Sequence, residues 1–348
     1  MTRFVQLHLL TSYPPSNPNR DDTGRPKSAK LGGHDRLRIS SQCLKRAWRT
    51  SEIFEQQLAG HIGTRTRALG REVMDRLVAR GCSEKEAQTV AEKIAEQFGV
   101  LAKGEVTIQQ AAHLSPDELA AAYTLAESMA QGGEADEKTL KALVREKHTA
   151  ADIAMFGRML AARPECNTEA AVQVAHAITV HRATVENDFF TAVDDLNRPE
   201  DSGSAYMGDA YFGAGLFYVY ICIDTDLLLN NIGGDVALAK AALDALIEAA
   251  TTVAPSGKQN SSGSRVRASY ILAEQGTQQP RSLSVAFLKP ISGEDVLLES
   301  IKAIESTAAA MEQVYGACRD DARTAVSHME NAKGSLAEIK QFAGGVYS

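Results

Sequence analysis

Arg38-Ile39-Ser40-Ser41-Gln42-Cys43-Leu44-Lys45-Arg46-Ala47-Trp48-Arg49 is the stretch on which the reading of this chain turns. Residues 37–39 make a short extended link into a helix that should run from Gln42 to about residue 55. Ser40 or Ser41 is a good N-cap, because a serine oxygen accepts one of the orphan backbone N–H groups. At about 100° per residue, Gln42, Lys45, Arg46 and Arg49 share one face, and Cys43, Leu44, Ala47 and Trp48 share the opposite one. One face is apolar enough to bury. The other offers three cations and an amide, with the positive end of the helix dipole and two hydroxyls at its start. That set suits a run of phosphates. A basic face that merely meets solvent would carry the same charges, so the flanking sequence has to separate the two readings.

The upstream loop favours phosphate. Pro14, Pro15, Pro18, Gly24, Pro26 and Gly32-Gly33 enforce a long irregular connection, and loops of that length in a compact domain usually serve function. Between Arg20 and Arg49, nine Lys or Arg stand against Asp21, Asp22 and Asp35, a local net of +6 in a chain whose formal net charge is −7. An acidic protein that gathers its cations in one segment has built a localised anion site.

Composition bounds the rest. A chain of 348 residues, 44% hydrophobic and 23% charged, has the length for a substantial core and the balance of a globular protein. No apolar run approaches the ~20 residues that span a bilayer, and residues 4–10 are too short and too polar for a signal peptide. The five cysteines are scattered with no C-x-x-C, which fits free thiols in a reducing cytoplasm and argues against zinc or a disulfide framework. A cytoplasmic protein with no membrane partner is expected.

Taken in order, residues 4–11 place Val5, Leu7 and Leu9 on one face of a strand. Residues 60–150 are helical and alanine-rich, with capping boxes at Ser83–Glu86 and Ser115–Glu118 and a third helix capped by Asp136 and extending to Lys147. Strands are expected at 152–160, 172–181, 211–224, 267–274 and 283–287, and helices at 235–252 and 294–314. Residues 196–208 read as an exposed arm. The last thirty residues are polar and carry no clear signal. With 60–160 set aside, the order is strand, helix, strand, strand, helix, strand: a βαββαβ plan in an α+β fold.

Enzymatic motifs are absent. No G-x-x-x-x-G-K-[ST] occurs, and no G-x-G-x-x-G follows a strand, so nucleotide hydrolysis is discarded. His176 and His181 face opposite sides of a strand without a third ligand, which removes a zinc site. Asp21, Asp22 or Asp35 could hold a metal beside a phosphodiester, but pairing with neighbouring arginines is the simpler role. The aromatics of 216–220 read as core because the RNP1 signature is missing. Met207, in a polar arm beside Tyr206, is an exposed apolar residue that needs a partner.

These pieces resemble the CasC family, the repeated backbone subunit of the type I-E CRISPR surveillance complex, Cascade. The resemblance is carried by Asn19-Arg20-Asp21-Asp22, Lys27, Gly32-Gly33 and the Ser-Ser-Gln-x-Leu-Lys-Arg-Ala block. Phe156-Gly157-Arg158-Met159, residues 175–179 leading to 190–196, the strand from Phe212 to Tyr220, and Lys258-Gln259 agree with it. It implies a ferredoxin-like, RRM-like palm with an antiparallel sheet (residues 1–59, 161–193 and 214–348), a helical fingers insertion (60–160) and a protruding β-hairpin thumb (194–213). It also implies copies stacked head to tail along a CRISPR RNA, together with other Cascade subunits, for recognition of a complementary target DNA strand.

No cofactor, metal or catalytic residue is implied, since in this family a recruited enzyme cuts the DNA. Carried onto this sequence, Arg20, Lys27, Ser40, Gln42, Lys45, Arg46, Arg49 and Lys258 would hold the guide. Arg158 and Met159 would pack on bases, and Met207 would act as a wedge at the thumb tip. Arg198-Pro199-Glu200-Asp201 departs from the family as a small insertion in the arm. Lys45 and Arg49 together should account for about two phosphate contacts. The rival expectation is a backbone subunit that cuts target RNA with a loop aspartate.

Overall fold

The computed structural model describes residues 3–193, 195, 206–328 and 331–347. The chain opens with β1 (Phe4–Ser16), passes through the basic loop into the hairpin β2 (Ser28–Leu31) and β3 (His34–Ile39), and enters α1 (Ser41–Arg49) and α2 (Glu52–Gln57). A mostly helical stretch follows, with β4 (Thr64–Thr66), α3 (Leu69–Ala79), α4 (Glu84–Ala95), β5 (Ala112–Leu114), α5 (Pro116–Ala130), α6 (Glu137–Lys141) and α7 (Ala151–Phe156). The chain then makes β6 (Val172–Val174) and β7 (Ala177–Thr179), and β8 (Glu186–Ala192) pairs with the long β9 (Tyr206–Asp224). It ends with α8 (Thr225–Asn231), α9 (Val236–Thr252), α10 (Gln259–Ser262), β10 (Ala268–Gly276), α11 (Val296–Tyr315), β11 (Asp321–Val326) and α12 (Leu336–Gly344).

Among the described residues nine of these strands form one sheet in the order β11-β10-β1-β9-β7-β3-β2, with β6 and β8 also paired to β9, and β4 pairs with β5 in a separate two-stranded sheet. β1 lies inside it, Leu7 facing Ala273 on one side and Ile221 on the other. Strand alternation sends successive side chains to opposite faces. Val5, Leu7 and Leu9 pack in one core with Leu44, Trp48, Leu243 and Leu246, so α1 and α9 cover that face. Leu10 goes to a second core with Tyr218, Tyr270, Phe287, Ile301 and Ile304, so α11 covers the other.

Gln6 and His8, which interrupt the apolar pattern of β1, are buried on the α11 side in a polar layer. The Leu283 N–H donates to the Tyr218 hydroxyl at 3.0 Å, and that hydroxyl lies 2.8 Å from His8 Nδ1. The hydroxyl proton therefore goes to Nδ1, and Nε2–H is left facing Glu274 at 3.3 Å. Arg281 and Arg319 close on the same carboxylate. Burial would raise the Glu274 pKa, but the bonds from His8 and Arg281 outweigh it and hold it at about 2. Every strong group in the layer has an opposite, which is what makes buried charge tolerable.

The stretch between α2 and β6 has a separate core built from Leu69, Val73, Ile94, Phe98, Ile108, Leu114 and Leu160. Both expected capping boxes are present.

The local expectations fail where burial hides the period. Residues 152–160 do not form a strand: Ala151–Phe156 is helical, and Ala151 to Met155 are buried on every side. Residues 283–287 form one 3-10 turn (Ser284–Phe287), held by Arg36, whose guanidinium donates to Phe287 O at 2.8 Å. The basic helix breaks after Arg49, because Thr50 and Ser51 donate their hydroxyls to the Arg46 and Trp48 carbonyls and Ser51 caps α2. The Asp136-capped helix stops at Lys141, and the terminal residues form β11 and α12.

His148 gives the fold a pH dependence. It is buried with Nδ1 unpartnered, and burial, reinforced by Arg158, lowers its pKa to about 4. The native state therefore refuses a proton that the unfolded chain accepts at its ordinary 6.5, so stability is full above that pH and is lost as pH falls toward 4. Denaturant midpoints measured from pH 7 to 4 should fall through this window, and His148→Asn should flatten the slope there. Loss between pH 4 and 2, where Glu274 protonates, should persist in the variant.

Candidate nucleic-acid interface

Leu44 and Trp48 are buried beneath α1, so Gln42 and Arg46 are turned outward. Ser40 is the N-cap: its Oγ accepts from the Cys43 N–H at 3.3 Å, and its own N–H donates to Asn19 Oδ1 at 2.8 Å. Ser40 is thus buried as a cap and splints the loop to the helix. Lys45 is half-buried with its ammonium 5.8 Å from the Phe156 ring, and burial lowers its pKa.

The basic loop is pinned to this helix. Asn17 donates to Gly24 O at 3.0 Å and to Tyr211 O at 2.8 Å. Arg20 pairs across to Pro26, and the Lys27 N–H donates to Asn19 O at 2.9 Å. The Arg38 N–H donates to Lys27 O at 2.8 Å, which sets the two cations on adjoining strands. Lys258 stands on a third segment. A Cβ at Gly257 would come within 2.4 Å of Pro18 O, so only glycine allows this close approach to the loop. Lys258 itself is exposed with φ +53°, the left-handed region, and is the one non-glycine residue there among the described residues.

Two residues of the surface escape any pattern in the sequence. His176 Nδ1 accepts from the Ser41 N–H at 3.1 Å and lies 3.4 Å from the Arg38 guanidinium. A nitrogen that accepts from a backbone N–H carries no proton. Burial, then Arg38 and Lys27, lowers the His176 pKa, so the ring stays neutral and its Nε2–H is a donor beside the cations. Arg38 belonged to the motif but not to the expected contacts. The bond linking β7 to the start of α1 is invisible in a linear reading.

Two expected contacts are corrected. The Arg158 side chain is only 1% exposed and forms an ion pair with Glu118 at 2.7 Å, with a second donation to Arg145 O at 2.7 Å. It holds the helical region together and cannot pack on a base. Arg49 turns inward: its side chain is 15% exposed and its guanidinium lies 3.6 Å from Asp152. The Asp152 carboxylate, fully buried, also takes the Gly63 N–H at 2.8 Å and faces His113 Nε2 at 2.9 Å.

Met159 is 78% exposed and Met207 62% exposed, the latter opposite Thr191 in the β8–β9 hairpin. That hairpin's first strand begins at Glu186. Residues 194 and 196–205, including Arg198-Pro199-Glu200-Asp201, lie outside the described residues.

The loop acids are engaged locally. Asp21 Oδ1 accepts from the Thr23 N–H, the Thr23 hydroxyl and the Arg25 N–H at 2.8–2.9 Å, and these bonds, the hydroxyl's first, lower its pKa. Asp35 lies 3.7 Å from Lys30. Among the described residues no three His, Cys, Asp or Glu gather as a metal site, and no helix is long and apolar enough to cross a membrane.

The surface thus joins Arg20, Lys27, Arg38, Lys45, Arg46 and Lys258, from a loop, a hairpin and two helical segments. Lys45→Ala with Arg38→Ala should lower the slope of log K against log salt for single-stranded RNA by about two phosphate contacts. Arg49→Ala should leave the slope nearly unchanged while lowering stability. Filter binding across a salt series and a denaturant titration separate the two effects.

A family model described as CT1975-like protein matches residues 5–343. Among solved structures, a chain of a "CRISPR RNA-guided surveillance complex, pre-nicking" superposes with a TM-score of 0.87 at 29% identity, covering 99% of this chain and 100% of that one. A chain of another "CRISPR RNA-guided surveillance complex" superposes with a TM-score of 0.64 at 26% identity, covering 99% of each. No curated protein matches.

Proposed function

The chain belongs to the CT1975-like, CasC-type family, and on that footing we propose that it is a backbone subunit of a CRISPR RNA-guided surveillance complex of type I-E, bound along the guide RNA. The observation that carries this is the outward cationic face of α1, continuous with the Lys27–Arg38 hairpin and the Lys258 loop. Phosphate contacts of this kind hold a guide of any sequence, and base pairing with the target DNA strand reads the sequence. The strand order β10-β1-β9-β7, with α1 and α9 on one face, supports a ferredoxin-like palm. The face of that sheet on which an RNA-recognition motif stacks bases is covered here by α11, so the guide lies over α1 instead. The region with its own core serves as fingers and the β8–β9 hairpin as thumb.

Copies of the chain stack head to tail. A heterologous interface of this kind makes an open array, and one modest cationic surface per copy gains affinity by repetition along a single strand. The subunit is proposed to be non-catalytic. Asp21 accepts three bonds within its own turn and Asp35 lies 3.7 Å from Lys30, which supports a role for these acids in shaping the loop; all three loop acids, Asp22 included, are exposed, and the cleavage test covers each of them.

Co-expression with a guide and the other subunits should give a ribonucleoprotein with several copies of this chain per guide by native mass spectrometry. The same chain without guide should remain unassembled. With Mg²⁺ and labelled complementary RNA, that ribonucleoprotein should leave the RNA intact; cleavage abolished by Asp21→Ala, Asp22→Ala or Asp35→Ala would replace this reading with an RNA-cutting one.

A further inference from the structure

His176 is fixed among three elements by its backbone and by one ring nitrogen. The Ala175 N–H donates to Tyr220 O on β9 at 2.9 Å, and Ala177 pairs with Ile39 on β3. The residue between them is thereby held at the seam where β3 passes into α1. Its Nδ1 meets two donors, the Ser41 N–H at 3.1 Å and the Arg38 guanidinium at 3.4 Å. His181 spends both nitrogens inside the fold. Its Nε2 accepts from the Leu216 N–H at 3.1 Å, so Nδ1–H donates to Arg182 O at 2.7 Å. His176 differs in keeping one nitrogen free: the residue is exposed, and its Nε2–H has no partner among the described residues.

The two donors on Nδ1 settle which nitrogen carries the proton, and they also oppose a second one. That proton would enter at Nδ1, head-on to the Ser41 N–H, and would charge the ring beside existing cations. The charges acting on the ring are Arg38, from β3, and Lys27, from the basic loop; after burial, both lower its pKa from 6.5. The ring therefore offers a neutral N–H on a surface whose other members are lysines and arginines. The two kinds of group act differently on a polyanion. A cation that meets a phosphate releases a counterion, so its contribution weakens as salt rises. A neutral hydrogen bond releases none, and its contribution persists.

We propose that His176 is an uncharged contact residue of this surface, its Nε2–H donating to an acceptor oxygen of a bound RNA strand, either a phosphate oxygen or a ribose 2′-hydroxyl. The inference rests on the reading of the surface as an RNA site and adds to it a donor that does not depend on charge. The bonds at Nδ1 aim the ring, so the donor is set in place before the strand arrives and little freedom is lost on binding. The slope of affinity against salt is then set by the cations alone, with the histidine adding a constant increment.

The test is binding of a single-stranded RNA to the full chain across a salt series. His176→Asn keeps an acceptor near the Nδ1 position and removes the donor; it should weaken binding about 10-fold at every salt concentration and leave the slope unchanged. His176→Gln, whose amide nitrogen reaches the Nε2 position, should recover most of that loss. In the wild-type chain the slope should stay the same from about pH 8 to 6. A DNA strand of the same sequence identifies the acceptor: equal loss on both strands assigns a phosphate, and loss on RNA alone assigns the 2′-hydroxyl. Wild-type affinity in His176→Asn, no recovery in His176→Gln, or a loss accompanied by a lower slope would each overturn the proposal, the last by showing that the ring acts only through Arg38. A slope that steepens by about one contact in acid would make the ring a bound imidazolium and overturn it too. In all these cases a salt-dependent wild-type affinity leaves the RNA-site reading standing, whereas a wild-type chain that binds no RNA overturns both.

Discussion

Leu44 and Trp48 have to be buried, and that requirement orients the functional surface. Both sit under α1 against the strand face formed by Val5, Leu7 and Leu9. Burying a tryptophan and a leucine together contributes several kcal/mol, on the order of 1.5–3 kcal/mol for each large apolar side chain. No rotation of the helix that hid Lys45 or Arg46 could offset that loss. Arg46 therefore faces outward and Lys45 stays half-exposed beside it because the opposite stripe cannot turn out, while Arg49 at the helix end folds in to Asp152. Ser40 then fixes where the helix begins and, through Asn19, where the preceding loop lies. Hydrophobic burial positions the ledge, and hydrogen bonds set its register.

The same economy governs charges that do not reach the surface. Arg36, Arg158 and Glu118 are buried, and each is matched by carbonyls or an opposite charge. Asp152 gathers a guanidinium, an imidazole and a backbone N–H where the chain enters and leaves the helical insertion. Such a centre adds little net stability compared with apolar packing, but leaving any member unpaired is costly. Its consequence is geometric. Arg49 joins α1 to the root of the α7 segment through Asp152, so those two parts cannot be reoriented independently.

This acidic chain segregates its charges, which is what the proposed contact with a polyanion requires. The loop and α1 carry the cations, while the β8–β9 hairpin carries Glu186, Asp188 and Asp209 on strands whose aromatics remain exposed. In the proposed assembly a modest attraction at each copy would keep a lone subunit from binding stray RNA tightly, because affinity accrues when several copies share one strand.

The amphipathic split of α1, its serine cap, both capping boxes, the strand at residues 4–11 and the long helices at 236–252 and 296–315 were legible from sequence. Each depends on residues within a turn or two of one another. What the sequence could not decide was the fate of individual polar groups. Arg49 and Arg158 read as outward cations, but their partners Asp152 and Glu118 lie 103 and 40 residues away in the chain. His176 and Arg38 meet only because β3 pairs with β7. Residues 151–156 turned out helical because burial on every side erases the period that distinguishes helix from strand. Local propensity specifies elements and their faces; the pairing of charges across the core is a property of the closed tertiary structure, where desolvation makes an unmatched group too costly to leave.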